Sequence, residues 1–124
     1  MSLAKTITYV HEPTDLQCGQ AVLAMLTGID VRDICRELGN ERETTLSEMK
    51  IFLTEHGITF HAARREAQSR DELPPYCVLS LETPRCWHWS LYALGTFYDP
   101  EHGVMNDFPE CKRRYYWEVT EETV

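Results

Sequence analysis

The chain has 124 residues and a net charge of −8, with 43% hydrophobic and 26% charged residues. That length and balance suit one compact domain, residues 1–124, able to bury its own core, and exclude a low-complexity or disordered chain. No apolar run approaches the roughly 20 residues of a membrane span, and the densest basic run is Lys112-Arg113-Arg114, so neither membrane insertion nor nucleic-acid binding is expected.

The first periodic segment runs from Cys18 to Leu26. It is apolar nearly all round (Ala21, Val22, Leu23, Ala24, Met25, Leu26), and Gly28 closes it. This predicts a short helix enclosed by the domain. Asp30 can cap a second helix, with Val31, Ile34, Cys35 and Leu38 on one face and Gly39 at its end. A third opens on the capping box Thr45-Leu46-Ser47-Glu48, turns Leu46, Met49 and Leu53 inward and stops at Gly57.

Beyond Gly57 the texture is that of strands. Residues 58–62 form a candidate strand, and residues 64–75, charged and ending in Pro74-Pro75, read as a loop. Tyr76 to Leu81 has the look of a buried strand. Trp87 to Ala93 and Thr96 to Asp99 read as a hairpin turning near Gly95, and Tyr115 to Val119 as a last strand. Helices first and a mostly antiparallel sheet after them make an α+β layout.

Five cysteines are present, none in a C-x-x-C pair, and no basic segment followed by a long apolar stretch opens the chain. Reduced thiols and a cytoplasmic location are the expectation. Cys35 falls on a helical apolar stripe and Cys77 inside an apolar strand, so both belong to the core.

Cys18 differs, because it starts the enclosed helix. Positive dipole and unpaired backbone N–H groups at a helix start favour a thiolate, and Gly19 behind it permits close approach of a chain or substrate. Position alone leaves two readings, a small buried cysteine and a nucleophile. His88 bears on the choice. In the strand Trp87 to Ala93, residues 87, 89, 91 and 93 face one way, and 86, 88, 90 and 92 the other. The tryptophans can anchor the strand while His88 addresses a site. A four-residue hairpin loop, Tyr92 to Gly95, sets His88 opposite Asp99, with Cβ atoms about 5 Å apart. Cys18, His88 and Asp99 would then be nucleophile, base and orienter. The simpler alternative for Asp99-Pro100 is the start of a turn.

The segment Asp15-Leu16-Gln17-Cys18-Gly19-Gln20-Ala21-Val22-Leu23-Ala24-Met25-Leu26-Thr27-Gly28 resembles the nucleophile helix of papain-like domains of the bacterial bacteriocin-processing, double-glycine-leader peptidase type. His88-Trp89 and Tyr98-Asp99-Pro100 resemble that family's base strand and acidic partner, and the helix ending at Gly57 sits where such domains carry one. The resemblance spans residues 9–103. It implies a papain-like fold, a nucleophile helix packed on the sheet, and a cysteine peptidase with catalytic Cys18, His88 and Asp99. Gly19 and Trp89 are candidate substrate-binding residues.

One position departs from the family. A Gln about six residues before the nucleophile donates to the oxyanion in such domains, and this chain has Glu12 there. An ionised carboxylate has no N–H to give. Gln17 is a substitute donor. The expected function is cleavage of a peptide or amide bond in a peptide or protein substrate through a thioester, and the alternative is a peptide-binding module without turnover. No cofactor or metal is expected, because Cys86-x-His88 with His102 and Cys111 matches no common zinc spacing.

Overall fold

The computed structural model describes Leu3 and residues 6–121. Helix α1 (Cys18–Thr27) is buried at every position, and Gly28 closes it at φ 79°, donating its N–H to the Ala24 carbonyl. A left-handed cap of this kind is open to glycine at no steric cost. Helix α2 (Val31–Leu38) starts at Asp30, whose side chain accepts the Arg32 N–H, and it buries Val31, Ile34 and Cys35. Helix α3 (Leu46–Glu55) carries the capping box between Thr45 and Glu48.

The inward face of α3 is Met49, Phe52 and Leu53. Leu46, expected inward, is 42% exposed. Helical side chains lean toward the helix N-terminus, so a residue in the first turn reaches past the packed turns into solvent.

All strand pairs are antiparallel. The strands are β1 (Ile58–Phe60), β2 (Arg65–Glu66), β3 (Tyr76–Glu82), β4 (Trp87–Ala93), β5 (Thr96–Asp99), β6 (Gly103–Met105) and β7 (Arg114–Glu121). Their order across the sheet is β1-β7-β3-β4-β5-β6, with β2 also on β7. Three helices followed by a seven-stranded antiparallel sheet make an α+β fold. Residues 64–75 are not a plain loop, since β2 and a 3₁₀ turn at Arg70–Glu72 interrupt them.

The sheet is packed on both faces. Val78, Leu91, Trp117 and Val119 join the helices in one core, while Cys77, Leu79, Leu81, Tyr92, Phe97 and Tyr116 form a second. Alternation along β3 divides Val78 from its neighbours, which is why that strand reads as a continuous apolar run. Cys35 and Cys77 are both buried, and burial pushes each thiol's pKa up, with the charges of Glu41 and Glu118 respectively adding to it.

The β4–β5 hairpin is tighter than expected. Ala93 pairs with Thr96 and Leu91 with Tyr98, so the loop is Leu94-Gly95 rather than Tyr92 to Gly95. Both loop residues have positive φ, 48° and 90°, as in the I′ turns that match strand twist. Continuing that register sets Ser90, not His88, opposite Asp99. A slip of two residues keeps every side chain on its face, so the His88–Asp99 contact survives it.

Candidate active site

The segment before α1 is laced to the end of β5. The Tyr9 hydroxyl donates to the Asp99 carbonyl at 2.6 Å, and the Glu12 N–H donates to the Pro100 carbonyl at 3.0 Å. This lacing brings Glu12 and the start of α1 to His88. Donor atoms of Glu12, Cys18 and His88 all lie within 4.8 Å of one another.

Asp99 has no exposed surface and is the polar hub. Its Oδ1 lies 2.9 Å from His88 Nε2 and 3.0 Å from His102 Nδ1, and accepts the backbone N–H groups of Glu101 and His102 at 3.0 Å each. Its Oδ2 accepts the Ser90 hydroxyl at 2.9 Å. With Nε2 committed to Asp99, the His88 nitrogen left for Cys18 is Nδ1. Burial by itself favours neutral His88, but hydrogen bonds to Asp99 and Cys18 and their negative charge outweigh it, and the pKa is pushed up to about 10. Burial likewise opposes charge on Asp99, and its hydrogen bond and ion pair with His88, with help from His102 and Ser90, hold it well below the usual carboxylate range.

Cys18 and His88 open on a cleft of about 200 Å³. Leu16 and Trp87 line it, with Asp15, Glu43, Glu101 and Arg85 around them. Arg85 is bridged to Glu101 at 2.6 Å and to Asp15 at 3.7 Å. No side chain caps the start of α1 and its first turn holds no acidic residue, so the first-turn N–H groups remain available to this cleft.

Gln17, Gly19 and Trp89, the candidate oxyanion and substrate residues, each have neighbours within the protein. Gln17 donates its amide to the Glu41 carbonyl at 3.0 Å and lines a separate groove beside α2. It is a clamp on the loop between α2 and α3, as is Gln20, which holds Asn40 and Arg42. Gly19 is buried, and its close neighbour is the protein itself. A Cβ there would stand 2.5 Å from Thr44 Oγ1 and 3.2 Å from Trp89 Cδ1. Trp89 donates to the Thr44 carbonyl at 2.9 Å and packs on Trp117, so it braces the site from behind. The aromatic residue in the cleft is Trp87, half exposed and stacked on Tyr115.

Glu12 lies six residues before Cys18. It is 6% exposed, and its Oε1 is buried without a hydrogen-bond partner. Burial raises its pKa, the nearby charges of Glu101 and Asp99 add to that, and His88 opposes it. Sequence reasoning missed Ser90 and His102 as partners of Asp99. Ser90 shares the parity of His88, a usable signal, whereas His102 reaches Asp99 through a turn that sequence spacing alone does not specify. Cys86 and Cys111 join no metal-ligating cluster among the described residues.

The fold and site together define an α+β domain with a thiol, an imidazole and a buried carboxylate in series at one cleft. No protein-family model matches the chain, and no curated protein matches it. Among the described residues no helix is long and apolar enough to cross a membrane.

Proposed function

We propose that the chain is a papain-like cysteine hydrolase of the bacteriocin-processing peptidase type, cleaving a peptide or amide bond through Cys18, His88 and Asp99. The observation that carries this reading is the series Cys18–His88–Asp99, with the thiol at a helix start and the carboxylate fully enclosed. His88 Nδ1 takes the thiol proton, and the sulfur attacks the scissile carbonyl carbon. The tetrahedral intermediate's oxygen is met by first-turn N–H groups of α1, including that of Cys18. His88 returns the proton to the leaving amine, and the C–N bond breaks to leave a thioester. Water, deprotonated by His88, then displaces Cys18 and releases the acid. Asp99 fixes the ring's orientation and balances the imidazolium throughout.

Around the cleft the carboxylates of Asp15, Glu43 and Glu101 outnumber the one guanidinium, Arg85, so the favoured substrate is a cationic or neutral peptide. A second reading, a peptide-binding module without turnover, is favoured by one observation. A carboxylate, Glu12, rather than an amide donor, lies beside Cys18 and His88 in the cleft.

An activated ester of a small acyl group separates the two readings. The expected result is release of more than one equivalent of acid per chain, through an acyl group that rapid acid quench and mass spectrometry locate on Cys18, with neither seen in Cys18→Ala. An adduct that is never released, or no Cys18-dependent acid release, favours the binding module.

A further inference from the structure

Glu12 makes no sense as an oxyanion donor while ionised, yet it is enclosed beside a thiol and an imidazole with Oε1 unpartnered. Sulfur, nitrogen and carboxylate oxygen, all within 4.8 Å of one another, are the ligand types of a zinc ion. We infer that Glu12, Cys18 and His88 form a binding site for Zn²⁺ that reversibly silences the Cys18 thiol.

The donor chemistry fits. Zinc takes thiolate at about 2.3 Å and imidazole or carboxylate at about 2.0–2.2 Å, usually in a tetrahedron. Donors in such a tetrahedron are roughly 3.5 Å apart at those bond lengths, within the span of this cluster. Glu12, Cys18 and His88 all line the cleft, which would admit water as a fourth ligand. His88 is already prepared as a ligand. Its Nε2 is held by Asp99 at 2.9 Å, and a metal-binding histidine typically has its other nitrogen bonded to a carboxylate or carbonyl. A Gln at position 12 would offer only a neutral amide oxygen, so the carboxylate adds both charge and affinity for the cation.

The neighbouring group His88, Asp99 and His102 also has ligand atoms within 4.8 Å of one another, but Asp99 there is already occupied by four N–H donors and the Ser90 hydroxyl. Glu12 Oε1 is free, and that difference selects the first group. Binding forms Zn–S, Zn–N and Zn–O bonds and sends the proton shared by Cys18 and His88 to solvent. No electrons are transferred, and a chelator reverses the step. The site stands on the cluster's geometry and holds whether or not the protein turns over a substrate.

The test uses the full, reduced chain titrated with Zn²⁺ against a chromophoric chelator, with Co²⁺ as a spectroscopic probe. The expected result is one high-affinity Zn²⁺ per chain, a thiolate-to-cobalt charge-transfer band, and protection of Cys18 from iodoacetamide that EDTA removes. Glu12→Gln, which preserves volume, should weaken binding by more than the about 10- to 100-fold cost of losing a residue that only supports a ligand. Cys18→Ser should abolish the cobalt band, and Cys86→Ala should leave affinity unchanged. The inference is overturned if no tight Zn²⁺ binds, if Glu12→Gln binds as tightly as the parent, or if Cys86→Ala removes binding.

Discussion

Asp99→Ala is expected to lower unfolding stability by about 3–5 kcal/mol, the scale of a buried ion pair broken from one side. Asp99 is fully enclosed and accepts from His88, Ser90, His102 and two backbone N–H groups. Removing the carboxylate strands all of these donors, the buried imidazole first. Asp99→Asn fills the space and should fold better, but its amide can hold His88 in the wrong tautomer. Turnover should then fall about 10⁴-fold, the scale seen when a triad carboxylate is amidated. Comparing the two variants separates folding from chemistry.

The same pair sets a pH signature. The His88 pKa rises from an ordinary 6.5 to about 10 in the folded protein, so its stabilisation is complete below about 6.5 and is lost as pH rises through about 10. The Asp99 pKa moves down from 3.8, so its contribution is present above about 3.8 and is lost as pH falls toward the folded value. Urea unfolding of the parent and Asp99→Asn should differ most between roughly pH 4 and 6.5 and converge toward pH 10. A difference independent of pH would show that the pair is not ionised as described.

Glu12→Gln is expected to raise turnover about 100-fold or more at neutral pH with metal removed, because one oxyanion donor is commonly worth about 10²–10³ in rate. Glu12 lies beside Cys18 and His88, and its Oε1 has no partner. An ionised carboxylate there opposes the charge that forms on the attacked carbonyl oxygen, while an amide N–H supports it. The neutral acid can also donate, and burial moves the Glu12 pKa up. The advantage of Glu12→Gln should therefore shrink as pH falls and the parent's Glu12 takes up a proton. The check is kcat/KM against pH for both proteins. A variant no faster than the parent at every pH shows that the oxyanion is stabilised elsewhere.

Much of this was legible in the sequence because it rests on local rules. Asp30, the Thr45–Glu48 box, Gly28 and Gly39 are helix-end signals that act within a turn, and the helices lie where they point. The side-chain parity of β4 puts His88 on the face that meets Asp99 even though the hairpin loop is two residues shorter than its sequence suggests. Legibility ended where distant segments meet. The loop between α2 and α3 returns to the start of α1 and engages the Gln17 amide through Glu41, a contact that spacing along the chain does not signal. Thr44 of the same loop lies against Gly19 and accepts from Trp89, contacts equally unmarked in the sequence. Strand β6, Gly103–Met105, is short and joins the sheet only through β5, so neither its composition nor its alternation marks it.

The most direct test of the proposed nucleophile and base is the rate at which each cysteine reacts with iodoacetamide near neutral pH, read by mass spectrometry with EDTA present. Cys18 is nearly enclosed and Cys86 is exposed, so accessibility alone favours Cys86. A thiol paired with His88 at a helix start should nevertheless react first, and His88→Ala should slow Cys18 markedly while leaving Cys86 unchanged. If Cys86 outpaces Cys18, or if His88→Ala leaves the Cys18 rate where it was, the thiol and imidazole do not act as a pair and the hydrolase account is contradicted.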